Sequence, residues 1–180
     1  MKVMFISDIH GIKTNLDLIL KKYEELECDQ LVVLGDLYYI GPRNSMIDGY
    51  DISYVRNFLN HYSSNLICMR GNCDSDVDLM VSDFTICQDI SILSLDGVNC
   101  YLTHGDKYHA GCTGKIPHGS VLIYGHEHIP FIKKDAGILC LNPGSISLPR
   151  QGFLPSYMIY DNRTFTIYGV DGVIIDSISI

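Results

Sequence analysis

The 180-residue sequence contains no apolar run approaching the ~20 residues that cross a bilayer, which argues against a membrane-spanning segment. From Met1 the chain passes straight into a short apolar run without a secretory-leader pattern, so a cytoplasmic location is expected. No Cys-x-x-Cys spacing occurs either. Cys28, Cys68, Cys73, Cys87, Cys100, Cys112 and Cys140 are odd in number and unpaired in spacing, which disfavours a disulfide framework or a thiolate zinc finger and predicts reduced, mostly buried thiols. Positive charge is scarce: 13 Lys and Arg stand against 21 Asp and Glu, a formal charge of −8, and the basic residues are scattered. A bulk nucleic-acid grip through phosphate neutralisation is therefore not expected, although a local cationic pocket made by metal ions is compatible with this balance. Without an internal repeat, low-complexity segment or linker, residues 1–180 read as one domain.

What the chain does have is a recurring unit, seen first in Lys2–Gly11. The run Val3-Met4-Phe5-Ile6 reads as a strand buried on both faces, and it gives way abruptly to Asp8, Ile9, His10 and Gly11. Leu31–Leu34 ends likewise in Gly35-Asp36, and Leu66–Met69 ends in Arg70, Gly71, Asn72, Cys73 and Asp74. Tyr101–Thr103 ends in His104-Gly105, and Val121–Tyr124 ends in Gly125, His126, Glu127 and His128. Open α/β sheets present ligands at the carboxyl ends of their strands, so side-by-side strands would bring Asp8, His10, Asp36, Asn72, His104, His126 and His128 to one edge.

Between these units the spacing predicts helices. Leu16, Ile19, Leu20 and Tyr23 recur at helical intervals, with Thr14 and Asp17 spaced as a capping box, and Val55, Phe58, Leu59 and Tyr62 repeat the pattern. The opening β-α-β-α-β order implies a parallel sheet with right-handed crossovers. Ile90–Leu95 and Val98–Thr103 about Asp96-Gly97 read as a hairpin with a type I′ turn. Further strands are expected at 121–124, 137–141, 157–160, 164–168 and 173–180. The loops 37–51 and 106–119 are too long for tight connections and fall on the side of the candidate ligands. The simplest architecture is two sheets packed face to face with helices outside.

Mixed imidazole and carboxylate ligands suit Zn, Fe, Mn, Co or Ni rather than an all-oxygen magnesium or calcium site. Seven ligands exceed one tetrahedral ion and suit two ions sharing a bridging carboxylate. Two divalent ions carry more charge than Asp8 and Asp36 remove, so a hydroxide and an anionic substrate are needed to balance the site. A phosphate ester meets that need, because two ions ~3.5–4 Å apart clamp the attacking and leaving oxygens of an in-line displacement and lower the pKa of bound water toward ~7.

Asp8-Ile9-His10, Gly35-Asp36, Gly71-Asn72, His104-Gly105 and Gly125-His126-Glu127-His128 resemble the five motifs of the calcineurin-like metallophosphoesterases. Gly71-Asn72-Cys73-Asp74, Gly41-Pro42-Arg43-Asn44 and Asn142-Pro143-Gly144-Ser145 narrow the resemblance to the small bacterial and archaeal phosphodiesterases of that family. The resemblance implies an α/β fold, a four-layer α/β/β/α sandwich of two mixed sheets. It implies Asp8, His10, Asp36 and His128 around one ion and Asp36, Asn72, His104 and His126 around the other, with Asp36 bridging. It further implies manganese as the usual metal, with Zn, Fe, Co or Ni able to replace it, association as dimers or larger oligomers, and attack on a small phosphodiester by metal-bound hydroxide.

Cys73 and Asp74 are the remaining catalytic candidates, and Arg43 and Asn44 the substrate-binding ones. Most of the wider family carries histidine where Cys73 stands. A thiol is a poorer donor than imidazolium, which predicts weaker help for poor leaving groups and a bias toward diesters of acidic alcohols or phenols. A guanidinium at Arg43 matches phosphate geometrically, with a solvated turn as the competing reading; Arg70 reads as a structural ion pair. The competing functions are a protein-binding scaffold on the same fold and a hydrolase of dinucleoside polyphosphates or phosphomonoesters.

Overall fold

The structure, a computed structural model, describes residues 1–42, 44 and 47–180. Four strands, β1 (Val3–Ile6), β2 (Gln30–Val33), β3 (Leu66–Met69) and β4 (Ile86–Cys87), run parallel in a seven-stranded sheet. It continues on the other side of β1 through antiparallel β10 (Ser156–Asp161), β11 (Thr164–Gly169) and β12 (Ile174–Ser179). The second sheet has five strands in the order β5 (Ser91–Leu95), β6 (Val98–Leu102), β7 (Val121–Ile123), β9 (Ile138–Pro143) and β8 (Pro130–Asp135). Its middle three strands are parallel and its two outer strands antiparallel, so both sheets are mixed.

Pleating explains why β1 is apolar throughout. Val3 and Phe5 face the five-stranded sheet and pack with Leu102, Ile123, Leu141 and Met158, while Met4 and Ile6 face the helices and pack with Leu16, Ile19, Val55 and Leu59. All four are fully buried, and each is worth about 1.5–3 kcal/mol of burial on folding. Helix α1 (Leu16–Glu25) buries Leu16, Ile19 and Tyr23, and α2 (Ile52–His61) buries Val55, Phe58 and Leu59, as their spacing predicts. The outer face of the five-stranded sheet is covered through Ile116 and Ala110, which pack on Leu122, Tyr124 and Cys140; this outer layer is the irregular segment 106–119.

Three local features depart from the pattern in the sequence. The expected Thr14/Asp17 capping box does not form: Asn15 is the N-cap and makes no side-chain cap, its amide donating to Ile146 O at 2.6 Å, while Thr14 reaches Asp48 O. These side chains tie α1 to neighbouring loops instead. A short helix α3 (Asp76–Val81) has a complete capping box, Ser75 with Asp78, and was hidden by its acidic first turn and six-residue length. Edge strand β8 starts on Pro130 and carries Lys133 and Lys134, the composition of a protected sheet edge rather than of a buried strand. The Asp96-Gly97 hairpin forms as expected, with both turn residues at positive φ.

Candidate metal centre

The parallel strands of both sheets end at a common edge, and the loops that leave them carry all seven candidate ligands. Asp8 and His10 follow β1, Asp36 follows β2, Asn72 follows β3, His104 follows β6, and His126 and His128 follow β7. Five of them hold a left-handed backbone: Asp8 (φ 55°), His10 (51°), Asp36 (55°), His126 (61°) and His128 (59°). Non-glycine residues rarely do so, and each costs of order 1–3 kcal/mol that the surrounding structure must offset. Clustering of such strain in one place marks it as a functional site.

The offsetting contacts are visible. Asp74 sits beneath the loops with Oδ2 accepting from Asp36 N (2.9 Å) and Gly71 N (2.7 Å) and Oδ1 from Leu37 N (2.7 Å). Burial pushes its pKa up to about 6 against the pull of these amides, which leaves it anionic at neutral pH. Gly71 must be glycine because a Cβ there would run into the Asp36 carboxylate and backbone. On the other side Asn142, fully buried, donates to Gly125 O at 2.7 Å, and Ser145 Oγ donates to Asp8 O at 2.8 Å. The Asn142–Ser145 motif thus holds the loops of β1 and β7.

Three imidazoles are oriented alike. Nδ1 of His10 donates to Tyr39 O (2.7 Å), Nδ1 of His104 to Leu34 O (2.7 Å) and Nδ1 of His128 to Leu148 O (2.6 Å). With those protons committed, each Nε2 points a lone pair into the site, the arrangement typical of metal-bound histidine. Nε2 of His10 and Nε2 of His128 then face each other at 3.4 Å, and Asp8 Oδ1, buried and without a hydrogen-bond partner, lies 3.4 Å from His128 Nε2. His10 and His104 approach opposite oxygens of Asp36, each at 3.5 Å. His104 Nε2 also lies 3.0 Å from Asn72 Oδ1 and 3.2 Å from His126 Nδ1. Lone pairs converging on lone pairs in a buried place are repulsive unless a cation lies among them, so these residues fit divalent metal ions. Donor atoms of Asp8, His10 and His128, and of Asp8, Asp36 and His104, fall within 4.8 Å of one another.

The charge states agree. Burial pushes His128 down to about 4 and also lowers His126, keeping both rings neutral as ligation requires. Burial opposes charge on His104 too, but the carboxylates of Asp8 and Asp36 outweigh it and raise its pKa; a field that attracts a proton there attracts a metal ion as well. Burial, and then the Asp36 charge, push the Cys73 thiol up to about 12. A cation on Asp36 would cancel the second contribution and leave the first.

A cavity of about 560 Å³ opens over the centre, lined by candidate ligands His10, Asp36, Asn72, His126 and His128 together with Cys73, Tyr39, Asn44 and Arg150. Cys73 is half-buried; its N–H donates to Asp36 Oδ1 at 2.8 Å. Asn44 is at the cavity wall with its amide donating to Ile40 O, whereas Arg43 lies outside the described residues. Arg70 pairs with Asp76 at 2.9 Å, the structural role expected of it. Arg150 was missed: nothing in its sequence neighbourhood distinguishes it, and it reaches the site because its N–H donates to His128 O at 3.1 Å.

Fold and site together define a metal-dependent hydrolase of phosphoric esters, and the chain belongs to the calcineurin-like phosphoesterase superfamily, whose domain model matches residues 1–164. It is 35% identical over 171 residues to phosphodiesterase YfcE of Escherichia coli strain K12, covering 95% of this chain and 93% of that protein. The solved structure of E. coli YfcE, described as a phosphoesterase, superposes over the full length of both chains with a TM-score of 0.95. Zinc-bound Vps29 of Entamoeba histolytica shares the fold at 19% identity, with a TM-score of 0.61 over 99% of each chain.

Proposed function

We propose that the chain is a binuclear-metal phosphodiesterase that hydrolyses small phosphodiesters. The observation that carries this reading is the pair of imidazoles, His10 and His128, with lone pairs opposed at 3.4 Å beside the unpartnered Asp8 oxygen. Asp8, His10, Asp36 and His128 would hold one divalent ion and Asp36, Asn72, His104 and His126 the other, Asp36 serving both through its two oxygens. When bound, such a pair supplies positive charge against the phosphoryl oxygens and acidifies water enough to provide a nucleophile near neutral pH.

The remaining work falls to the protein. Arg150 and Asn44, both in the cavity lining, offer donors to non-bridging phosphate oxygens. Asn72 Nδ2 lies 3.4 Å from Cys73 Sγ, so the thiol sits beside a metal ligand and can offer its proton to a departing oxygen. A neutral thiol is a weak donor, so diesters whose alcohols leave readily without a proton are favoured. Asp74 acts by positioning Asp36 and Gly71 rather than by meeting substrate, since both of its oxygens are engaged with backbone amides.

Manganese is the metal we assign, on the family resemblance and the mixed nitrogen and oxygen donor set. A reducing, cytoplasmic setting is supported by seven free cysteines, four of them buried; among the described residues no helix is long and apolar enough to cross a membrane. Homo-oligomers remain part of the proposal on the resemblance alone.

The test is hydrolysis of bis(4-nitrophenyl) phosphate beside 4-nitrophenyl phosphate after chelation and re-addition of manganese. Diester turnover should return with metal and fall by about 10³-fold or more in Asp36→Ala, a loss of roughly 4 kcal/mol of transition-state stabilisation. Full manganese-dependent turnover in that variant would refute the assignment.

A further inference from the structure

The site does not end at Cys73. A second hollow of about 310 Å³ is lined by Tyr38, Tyr39, Ile52, Cys73, Ser75 and Asp78. Tyr39 and Cys73 also line the cavity over the metal centre, so these two side chains form the wall that both spaces share.

The chemistry of the two spaces differs sharply. The metal cavity presents histidines, carboxylates and Arg150. The hollow presents the Tyr39 ring (47% exposed) and the Ile52 side chain (41% exposed), surfaces that a folded chain normally covers when they lie together. Tyr38 contributes without a free hydroxyl, since that group is bonded to Ser82 Oγ at 2.8 Å. Among the described residues the one charge in the lining is negative: Asp78, held in place by Ser75 N (2.7 Å) and Ser75 Oγ (2.9 Å). No lysine, arginine or histidine lines it among the described residues.

We propose that this hollow is the subsite for one ester group of the phosphodiester, and that it accepts an uncharged aromatic or branched apolar group and rejects an anionic one. The inference rests on the metal-centre reading above, because the phosphoryl group must sit between the ions for its substituent to pass Cys73. An aromatic group there lies against Tyr39 and Ile52, and stacking of this kind adds to simple area burial. A group ending in carboxylate or phosphate would face Asp78 with no cation in the lining among the described residues to compensate, and like-charge juxtaposition is an effective device for rejecting a competitor. This places dinucleoside polyphosphates, in which one arm on the attacked phosphorus is itself an anionic phosphate chain, among the disfavoured substrates.

The experiment is calorimetric titration of the manganese-loaded protein with methylphosphonate, phenylphosphonate and 4-carboxyphenylphosphonate, which share the metal-binding group and differ only in the arm. Phenylphosphonate should bind about tenfold more tightly than methylphosphonate, and the carboxylate should remove that gain. In Ile52→Asp the advantage of the phenyl arm should disappear while methylphosphonate binds as in the parent. In Asp78→Asn the carboxyphenyl ligand should recover affinity. Equal binding of all three ligands by a protein that hydrolyses diesters overturns the subsite and leaves the metal centre standing. Absence of binding by any phosphonate together with absence of hydrolysis overturns both.

Discussion

Both carboxylates of the candidate metal centre rise from the seven-stranded sheet, whereas the five-stranded sheet contributes three imidazoles and no carboxylate. The supports differ in the same sense. Asp36, on the acidic side, is braced by a further buried carboxylate, Asp74, through the backbone around it. On the other side His104 and His128 are aimed by backbone carbonyls of Leu34 and Leu148, and the β7 loop is held by the neutral Asn142. Neither sheet forms the candidate site alone: one brings both carboxylates and a single imidazole, His10, and the other brings most of the nitrogen donors that make transition metals preferable to magnesium or calcium. Ions placed between them would be joints between the two halves of the sandwich, and their binding energy would become folding energy.

The largest expected effect tests that joint. At a manganese concentration 100 times its dissociation constant the parent protein should gain about 2.7 kcal/mol, a rise of roughly 5–10 °C in melting temperature. The rise should vanish in Asp36→Ala, which removes the carboxylate common to both ligand sets, and shrink in His104→Ala, which removes a donor of one set; an undiminished rise in His104→Ala would mean that this imidazole of the five-stranded sheet adds nothing to the joint. Next in size is Asp74→Asn, which sets an amide N–H₂ against a backbone N–H and should lower stability by about 1–3 kcal/mol in chemical denaturation. An unchanged midpoint would remove Asp74 as the brace of the acidic half. The smallest concerns a charge remote from both: Lys22, paired with Glu25 at 2.8 Å on the exposed face of α1. Lys22→Gln should leave both melting temperature and diester turnover unmoved, since surface pairs contribute little; a clear loss would show that the acidic surface as a whole, not the local site, governs stability.

Much of this was readable beforehand, and for a reason. A candidate metal ligand at a strand end must be one of a few residue types and must follow an apolar run, so the gathering of Asp8, Asp36, His104 and His126 at one edge is legible from the junction of two patterns. Strands β1, β2 and β3 were legible because burial on both faces leaves no polar interruption. Arg150 was not, because what brings it to the site is a single backbone hydrogen bond to His128, and backbone groups carry no sequence signature. Helix α3 and strand β8 were missed because each is short or partly exposed, and the apolar period that marks a buried face is absent. The subsite beside Cys73 was equally hidden: Tyr39 and Ile52 lie in different segments, and only the fold makes them neighbours of one hollow.

The left-handed backbone at Asp8, His10, Asp36, His126 and His128 also limits what mutation can do here. Asp, Asn, His and Gly tolerate that conformation, whereas valine, isoleucine and threonine do not. A descendant of this protein could therefore lose the candidate ligands through exchanges such as Asp to Asn or His to Asn while the chain still turned correctly at each strand end. Catalysis and shape are separable along that route, and a silent, metal-free sandwich lies only a few conservative replacements away from an active one.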